Sequence, residues 1–221
     1  NRRGDHMSSF SSDTEANIAR WFGVAPPNDP GRRMAADLEA TIRAFEKLRG
    51  TIVFEDEPSG FEAALQALHR KLGPRQTMLV EYKPFEPAFY ATDIADWGMA
   101  YLLAKKAGSR AKVLVDTGHH YSAQNIEQIV AWLLDEDMLG GFHFNDRRYA
   151  DDDLTLGSID PYQVFRIFHE IHFFASERGR APKIAYMIDQ SHNEKPKIEA
   201  TIQTVVMAQE LYAKAALVDH Q

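Results

Sequence analysis

The residues with the clearest capacity for chemistry lie between 113 and 153, in VLVDTGHHYSAQNIEQIVAWLLDEDMLGGFHFNDRRYADDD. Two short apolar runs each end in side chains suited to holding a metal ion, Asp116 with His119 and His143 with Asp146. After the second run comes a triple aspartate, Asp151, Asp152 and Asp153. A helix-like stretch separates the runs, so the order is strand, polar tip, helix, strand, polar tip. That is the order of a βαβ unit, and α/β folds carry their chemistry at the C-terminal ends of such strands. Glu81 in MLVEYKPFEP and Asp189 in KIAYMIDQSHN occupy the equivalent position on two further apolar runs.

Glu81, Asp116, His143 and Asp189 thus form a set of three carboxylates and one imidazole on matching strand positions. Two carboxylates at close range repel by about 4 kcal/mol at an effective dielectric of about 20. A divalent cation removes that cost, so the cluster itself implies a metal. With no cysteine in the chain, the donors are oxygen and imidazole, which suit Mg, Mn, Co or Zn. A second set lies beside the first: His119, three residues past Asp116, with Asp151 and Asp153 on the loop after His143. Read from spacing alone, this set is either a second metal site sharing a carboxylate wall with the first or a solvated acidic loop. Lys83 shares the inward face with Glu81 and would either stabilise an oxyanion, shuttle a proton or balance the Glu81 charge. His192 follows Asp189 closely enough to line the same mouth. His120, His169 and His172 read as structural or exposed, and Phe85, Phe89, Trp97 and Trp132 as core.

The elements that must position these groups follow from periodicity. Strands are expected at 51–57, 78–87, 112–120, 140–146 and 183–193, and a short one near Trp21. Helical spacing runs from Gly31 to about Leu48. Ser59 can cap a helix that Gly73 and Pro74 end. Further helices are expected from about Thr92 to Ala107, from Asp160–Pro161 to about Ser176, and from Pro196 to the C-terminus. Consecutive βα units with apolar strands predict a parallel sheet, and one ligand on each of four strands predicts a barrel segment. The expected fold class is α/β, a TIM-barrel-like (β/α) repeat forming the later half of a (β/α)8 barrel. The competing architecture is a flavodoxin-like open sheet. Residues 1–16 read as unstructured or as a fragment boundary, with Met7 a candidate start, and residues 17–221 as a single, partial β/α barrel domain.

Composition narrows the function classes. Of the 221 residues 44% are hydrophobic and 26% charged, the balance of a globular protein with a sizeable core. A net charge of -7 speaks against a nucleic-acid or anionic-membrane partner. There is no apolar run of membrane-spanning length and no signal peptide, and the lack of cysteine is compatible with the cytoplasm.

At these motifs the chain resembles the bacterial L-rhamnose isomerase family, the broad-specificity type related to xylose isomerases. The matching words are EYKPFEPAFY (81–90), LVDTGHH (114–120), IEQIV (126–130), GGFHFNDRRYADDDL (140–154), GSIDPY (157–162) and MIDQSHN (187–193). They cover roughly 78–219. The resemblance implies a barrel holding two divalent ions, typically manganese, and interconversion of an aldose and a ketose by moving hydrogen between C1 and C2. Carried over by motif, Glu81, Asp116, His143 and Asp189 resemble the ligands of a structural metal, and His119, Asp151 and Asp153 those of a catalytic one. Lys83 falls on a lysine near the substrate, and Lys83 and Asp189 are the candidate catalytic side chains. The resemblance further implies a small sugar substrate and a homo-oligomer in the cytoplasm. Arg147, Arg148 and Ala150 depart from the family's usual FNDSKYGDDD loop, Thr117 replaces an apolar residue, and the early strands have no clear counterpart. An epimerase or endonuclease of the xylose-isomerase-like group and a metal-binding half-barrel without turnover are the alternatives. The first lacks a second glutamate and the second a basic groove; the third would follow from the missing early strands.

Overall fold

The computed structural model describes residues 59–86, 90, 91 and 93–220, together with Arg20. The elements expected near Trp21, at 31–48 and at 51–57, and the boundary at residue 16, lie outside the described residues. The chain divides between Gly60 and Phe61, and the sheet described here belongs to the unit Phe61–Gln221.

In order, the elements are α1 (Ser59–Lys71), β1 (Met78–Glu81), β2 (Phe85–Glu86), β3 (Tyr90–Ala91), α2 (Trp97–Ala107), β4 (Ala111–Asp116), α3 (Ile126–Asp135), β5 (Leu139–Phe144), α4 (Pro161–Arg178), β6 (Ala185–Ile188) and α5 (Lys197–Ala216). Four strands form one sheet in the order β1-β4-β5-β6, every neighbouring pair parallel. Each is joined to the next through a helix, which gives the α/β architecture of half a TIM barrel.

Local chemistry explains where the helices begin. The Asp96 carboxylate accepts from the Met99 backbone N–H at the start of α2, Asn125 from Gln128 at the start of α3, and Asp160 from Gln163 at the start of α4. Pro161 fills the first turn of α4, where its missing N–H costs nothing, and Gly179 ends that helix with φ 61°. On α3, Ile126, Ile129, Val130, Leu133 and Leu134 recur at helical spacing and are all buried. They pack with Val113 and Val115 of β4, Phe142 and Phe144 of β5, and Ile167, Phe168 and Ile171 of α4 in one core. Phe142 and Phe144 stack with ring centroids 4.9 Å apart, and Phe144 meets Phe168 at 5.5 Å. β4 and β5 are buried along almost their whole length, as central strands covered on both faces must be.

The structure corrects several expected boundaries. The strand expected over 78–87 stops at Glu81, because Pro84 offers no N–H and the Lys83 N–H turns away to the Ile94 carbonyl at 2.9 Å. Phe85–Glu86 instead pairs antiparallel with Tyr90–Ala91. The helix expected from Thr92 starts at Trp97, the first position that the Asp96 cap allows. The last strand is confined to Ala185–Ile188. Trp97 does pack against the core, but Trp132 is 53% exposed, since it lies on the face of α3 opposite the buried stripe. The Phe85 side chain and Phe89 lie outside the described parts. Among the described residues no helix is long and apolar enough to cross a membrane.

β5 and β6 approach closely at Gly141, where an added Cβ would lie 2.8 Å from the Ala185 carbonyl oxygen and 3.0 Å from the Ala185 Cβ. Backbone cannot move aside as a side chain tip can. Gly141→Ala is therefore expected to destabilise the fold by about 1–3 kcal/mol, read as a lower urea midpoint with unchanged slope. An unshifted midpoint would show that β6 is free to move outward.

Candidate metal centre

The site is built around Asp116, the last residue of β4, which is 0% exposed. Its two carboxylate oxygens have different surroundings. Oδ1 accepts from the Gly118 backbone N–H at 2.7 Å and from Asn145 Nδ2 at 2.9 Å. Oδ2 is buried and meets no hydrogen-bond donor among the described residues. It faces two imidazoles, with His143 Nδ1 at 3.7 Å and His119 Nε2 at 3.9 Å. Gly118 is required at this spot, because a Cβ there would stand 2.3 Å from Asn145 Oδ1 and 3.2 Å from Asp116 Oδ1.

Four parallel strands each deliver one side chain to a first group. Glu81 ends β1, Asp116 ends β4, His143 lies one residue from the end of β5, and Asp189 directly follows β6. One ligand atom from each of these residues lies within 4.8 Å of all the others. His143 Nδ1 is 3.0 Å from Glu81 Oε1 and 3.3 Å from Asp189 Oδ2. Asp189 is the open side of the group, 51% exposed.

Asp116, His119 and Asp151 form a second group on the same criterion, with Asp116 common to both. The Nδ1–H of His119 points to the Tyr82 carbonyl at 2.9 Å, which leaves Nε2 directed at Asp151 Oδ1, 3.3 Å away. Tautomer and ring orientation are thereby set by a backbone acceptor. Asp153 is not within this tight set. It has φ 47°, and its Oδ2 accepts from the Ser191 hydroxyl at 2.6 Å, which ties the loop after β5 to the loop after β6. Lys83 pairs with Asp151 Oδ2 at 2.6 Å rather than with Glu81, the partner that alternation suggests. The break in β1 after Glu81 carries it off the strand toward the 147–153 loop. His192 meets Thr155 Oγ1 at 3.1 Å.

The electrostatics have one dominant cause, the burial of charge. Burial raises the Asp116 pKa to about 6, against the pull of His119 and of the donors on Oδ1. Burial opposes a charge on His119 too, but the carboxylates of Asp151, Asp116 and Glu81 outweigh it and lift the imidazole to about 9. For Asp151 burial is likewise outweighed, by His119 and Lys83, and the carboxyl is held well below its usual range. Burial raises Asp153, and the neighbouring Asp151 and Asp189 carboxylates add to the rise. Three carboxylates from separate strands and two imidazoles face a small volume in which a buried Oδ2 lacks a donor. This donor set fits a divalent cation that prefers oxygen and imidazole.

Several residues that shape the centre did not stand out in the sequence. Tyr82 is buried, and its hydroxyl contacts His120 Nε2 at 2.6 Å. His120 is buried as well, and burial first, then Arg147 and His119, lowers its pKa to about 3, so it is neutral and accepts from the phenol. Thr117 takes the Asn145 N–H at 3.0 Å and donates to the Asn145 carbonyl at 2.7 Å, joining the tips of β4 and β5. Spacing gave no sign of these contacts, since each joins residues roughly 30–40 apart, a separation no local pattern encodes. The one available signal was that EYK and DTGHH interrupt apolar runs with polar groups that a buried strand end must satisfy.

No protein-family model matches the chain. Over 98% of its length the chain is 46% identical to a protein of Mesorhizobium japonicum named a probable sugar isomerase. Over 72% of its length it is 43% identical to a protein of Rhizobium meliloti that carries the same description. The chain spans about half the length of the first relative and less of the second, 54% and 37% respectively. Both similarities are thus to proteins named as sugar isomerases, and the metal-type ligands stand together at one end of the sheet.

Tyr82→Phe removes the phenol from which Nε2 of the buried His120 ring accepts a hydrogen bond. The expected cost is about 1–3 kcal/mol in chemical denaturation, the penalty of an unsatisfied buried nitrogen. A variant as stable as the parent would show that water reaches this ring.

Proposed function

We propose that this chain carries the metal centre of an aldose–ketose isomerase that moves hydrogen between C1 and C2 of a sugar, with L-rhamnose to L-rhamnulose as the reaction. The observation that carries the reading is Asp116, one buried carboxylate shared by two ligand groups, in a chain 46% identical to a probable sugar isomerase. In this reading Glu81, Asp116, His143 and Asp189 hold one ion, and His119 and Asp151, with the shared Asp116 and with Asp153 on the same loop, hold a second beside it. Manganese is the proposed metal for both. The bound ions would supply the polarisation of sugar oxygens that this chemistry needs.

The chain's own residues then divide the remaining work. A small cavity of about 80 Å³ beside the second group is lined by Lys83, Gly118, His119, Tyr121, Tyr149 and Asp151, among others. The Lys83 ammonium is proposed to hold a sugar oxygen at this cavity, and Asp189, the most open of the three carboxylates in the first group, to carry a proton to or from the substrate. Tyr149 and Tyr121, both exposed at the rim, are suited to cover an apolar sugar face. The proposed setting is a cytoplasmic homo-oligomer. Support for association comes from the apolar surface along β6 and α5, where Tyr186, Ile188, Val205 and Tyr212 are exposed.

Two experiments test this. The 221-residue chain loaded with Mn(II) is expected to convert an aldose to a ketose in a panel that includes L-rhamnose. Asp116→Asn is expected to reduce that turnover by about 100-fold or more, since it disables both groups. Absence of Mn-dependent conversion of every sugar, in chain shown to have taken up Mn, would overturn the reading. Separately, His119 is protonated at neutral pH in the metal-free chain, with a pKa of about 9. Only its neutral form can ligate, so Mn uptake at neutral pH is expected to release a proton. Calorimetry in two buffers of different ionisation enthalpy reads this directly, and identical heats would exclude His119 as a ligand.

A further inference from the structure

The second group differs from the first in how it is held. The first rests on the ends of four hydrogen-bonded strands. The second depends on two loops, 117–121 after β4, which carries His119, and 146–154 after β5, which carries Asp151. Two side chains outside both ligand groups hold these loops in place.

Arg147 is the link between them. Its guanidinium donates to the Thr117 carbonyl at 3.0 Å, to the Tyr121 carbonyl at 2.9 Å and, through Nε, to the His120 carbonyl. These acceptors flank His119 on both sides. Nη1 also reaches Gln163 of α4 at 3.4 Å. At its own backbone Arg147 is fixed by Asp146, whose Oδ1 takes the Arg147 N–H at 2.9 Å and whose Oδ2 takes the Ile159 and Asp160 N–H groups at 2.8 and 3.0 Å. Asp146 and Leu154 exchange backbone hydrogen bonds of 2.9 and 2.8 Å, which closes the base of the loop.

Asp152, the middle residue of the triple aspartate, folds the tip. Its Oδ2 accepts from three successive backbone N–H groups, Arg148 at 2.6 Å, Tyr149 at 2.7 Å and Ala150 at 3.3 Å. A carboxylate so engaged is turned into its own loop, while its neighbour Asp151 is turned toward His119 and Lys83. The three aspartates therefore do different things.

We propose that Arg147 and Asp152 are positioning residues for the second ion: they set the spacing of His119 and Asp151 and leave the first group untouched. The inference rests on the two-ion reading above. A lysine at 147 keeps the charge but cannot fork to several fixed carbonyls at once. Alanine at 152 removes the acceptor that closes the tip.

The test is titration of the metal-free full chain with Mn(II), followed by calorimetry and by the loss of the free Mn(II) paramagnetic resonance signal. The parent is expected to take up two ions. Arg147→Lys and Asp152→Ala are each expected to weaken one of the two by about tenfold or more while the other changes by less than about twofold. A merely structural role would weaken both together, as the chain unfolds, and would show in the far-ultraviolet circular dichroism. Two ions bound by both variants with parental affinities would overturn this inference alone, as would equal weakening of both. Fewer than two ions in the parent would overturn the inference together with the two-ion reading. If Asp152→Ala does not fold, Arg147→Lys decides the matter by the same ratio.

Discussion

A fully buried carboxylate at the end of β4 is the constraint on which the rest depends. Asp116 is removed from water entirely, and an uncompensated charge there would cost several kcal/mol. The fold compensates half of it with fixed donors. The Gly118 N–H and the Asn145 amide take up Oδ1, and both positions are narrow enough that a glycine is needed at 118. The other oxygen meets no donor among the described residues and faces His119 and His143. In the metal-free chain the positive charge on His119, 3.9 Å away, partly answers it, and the carboxylates of Asp151, Asp116 and Glu81 favour that charge.

Around that residue the sheet and the loops have separate duties. The parallel sheet brings Glu81, Asp116, His143 and Asp189 together because strand ends in register must lie side by side, a few ångströms apart. The apolar layer behind, with Phe142, Phe144 and Phe168, fixes the strands without touching the ligands. The loops add chemistry that strand ends cannot reach. His119 and Asp151 meet where the Arg147 guanidinium bonds the loop after β4, the Tyr82 carbonyl orients His119 and Lys83 pairs with Asp151.

Among the described residues β6 is an edge of the four-stranded sheet. Tyr186 and Ile188 of that strand and Val205 and Tyr212 of α5 present apolar surface to solvent. In a closed barrel such a strand has a neighbour on each side.

The amino-acid sequence alone determined the repeating strand–helix order, the cap at Asp160, and the placing of Glu81, Asp116, His143 and Asp189 at the ends of neighbouring strands, because each is a local regularity of period or type. It also set His119, Asp151 and Asp153 apart as a second set, of which the structure gathers His119 and Asp151 with Asp116 and leaves Asp153 outside. Other assignments were beyond local reading. Lys83 was legible as an inward charge but not as the partner of Asp151, since the strand breaks at Pro84 and redirects it. Trp132 read as core by size and proved exposed by its angle on the helix. The middle aspartate of the triplet, the fork of Arg147 and the Tyr82–His120 pair were decided by tertiary structure. The reason is physical. Periodicity reports which face of an element is buried, whereas a hydrogen bond between loops depends on where the two ends of distant segments are brought in space.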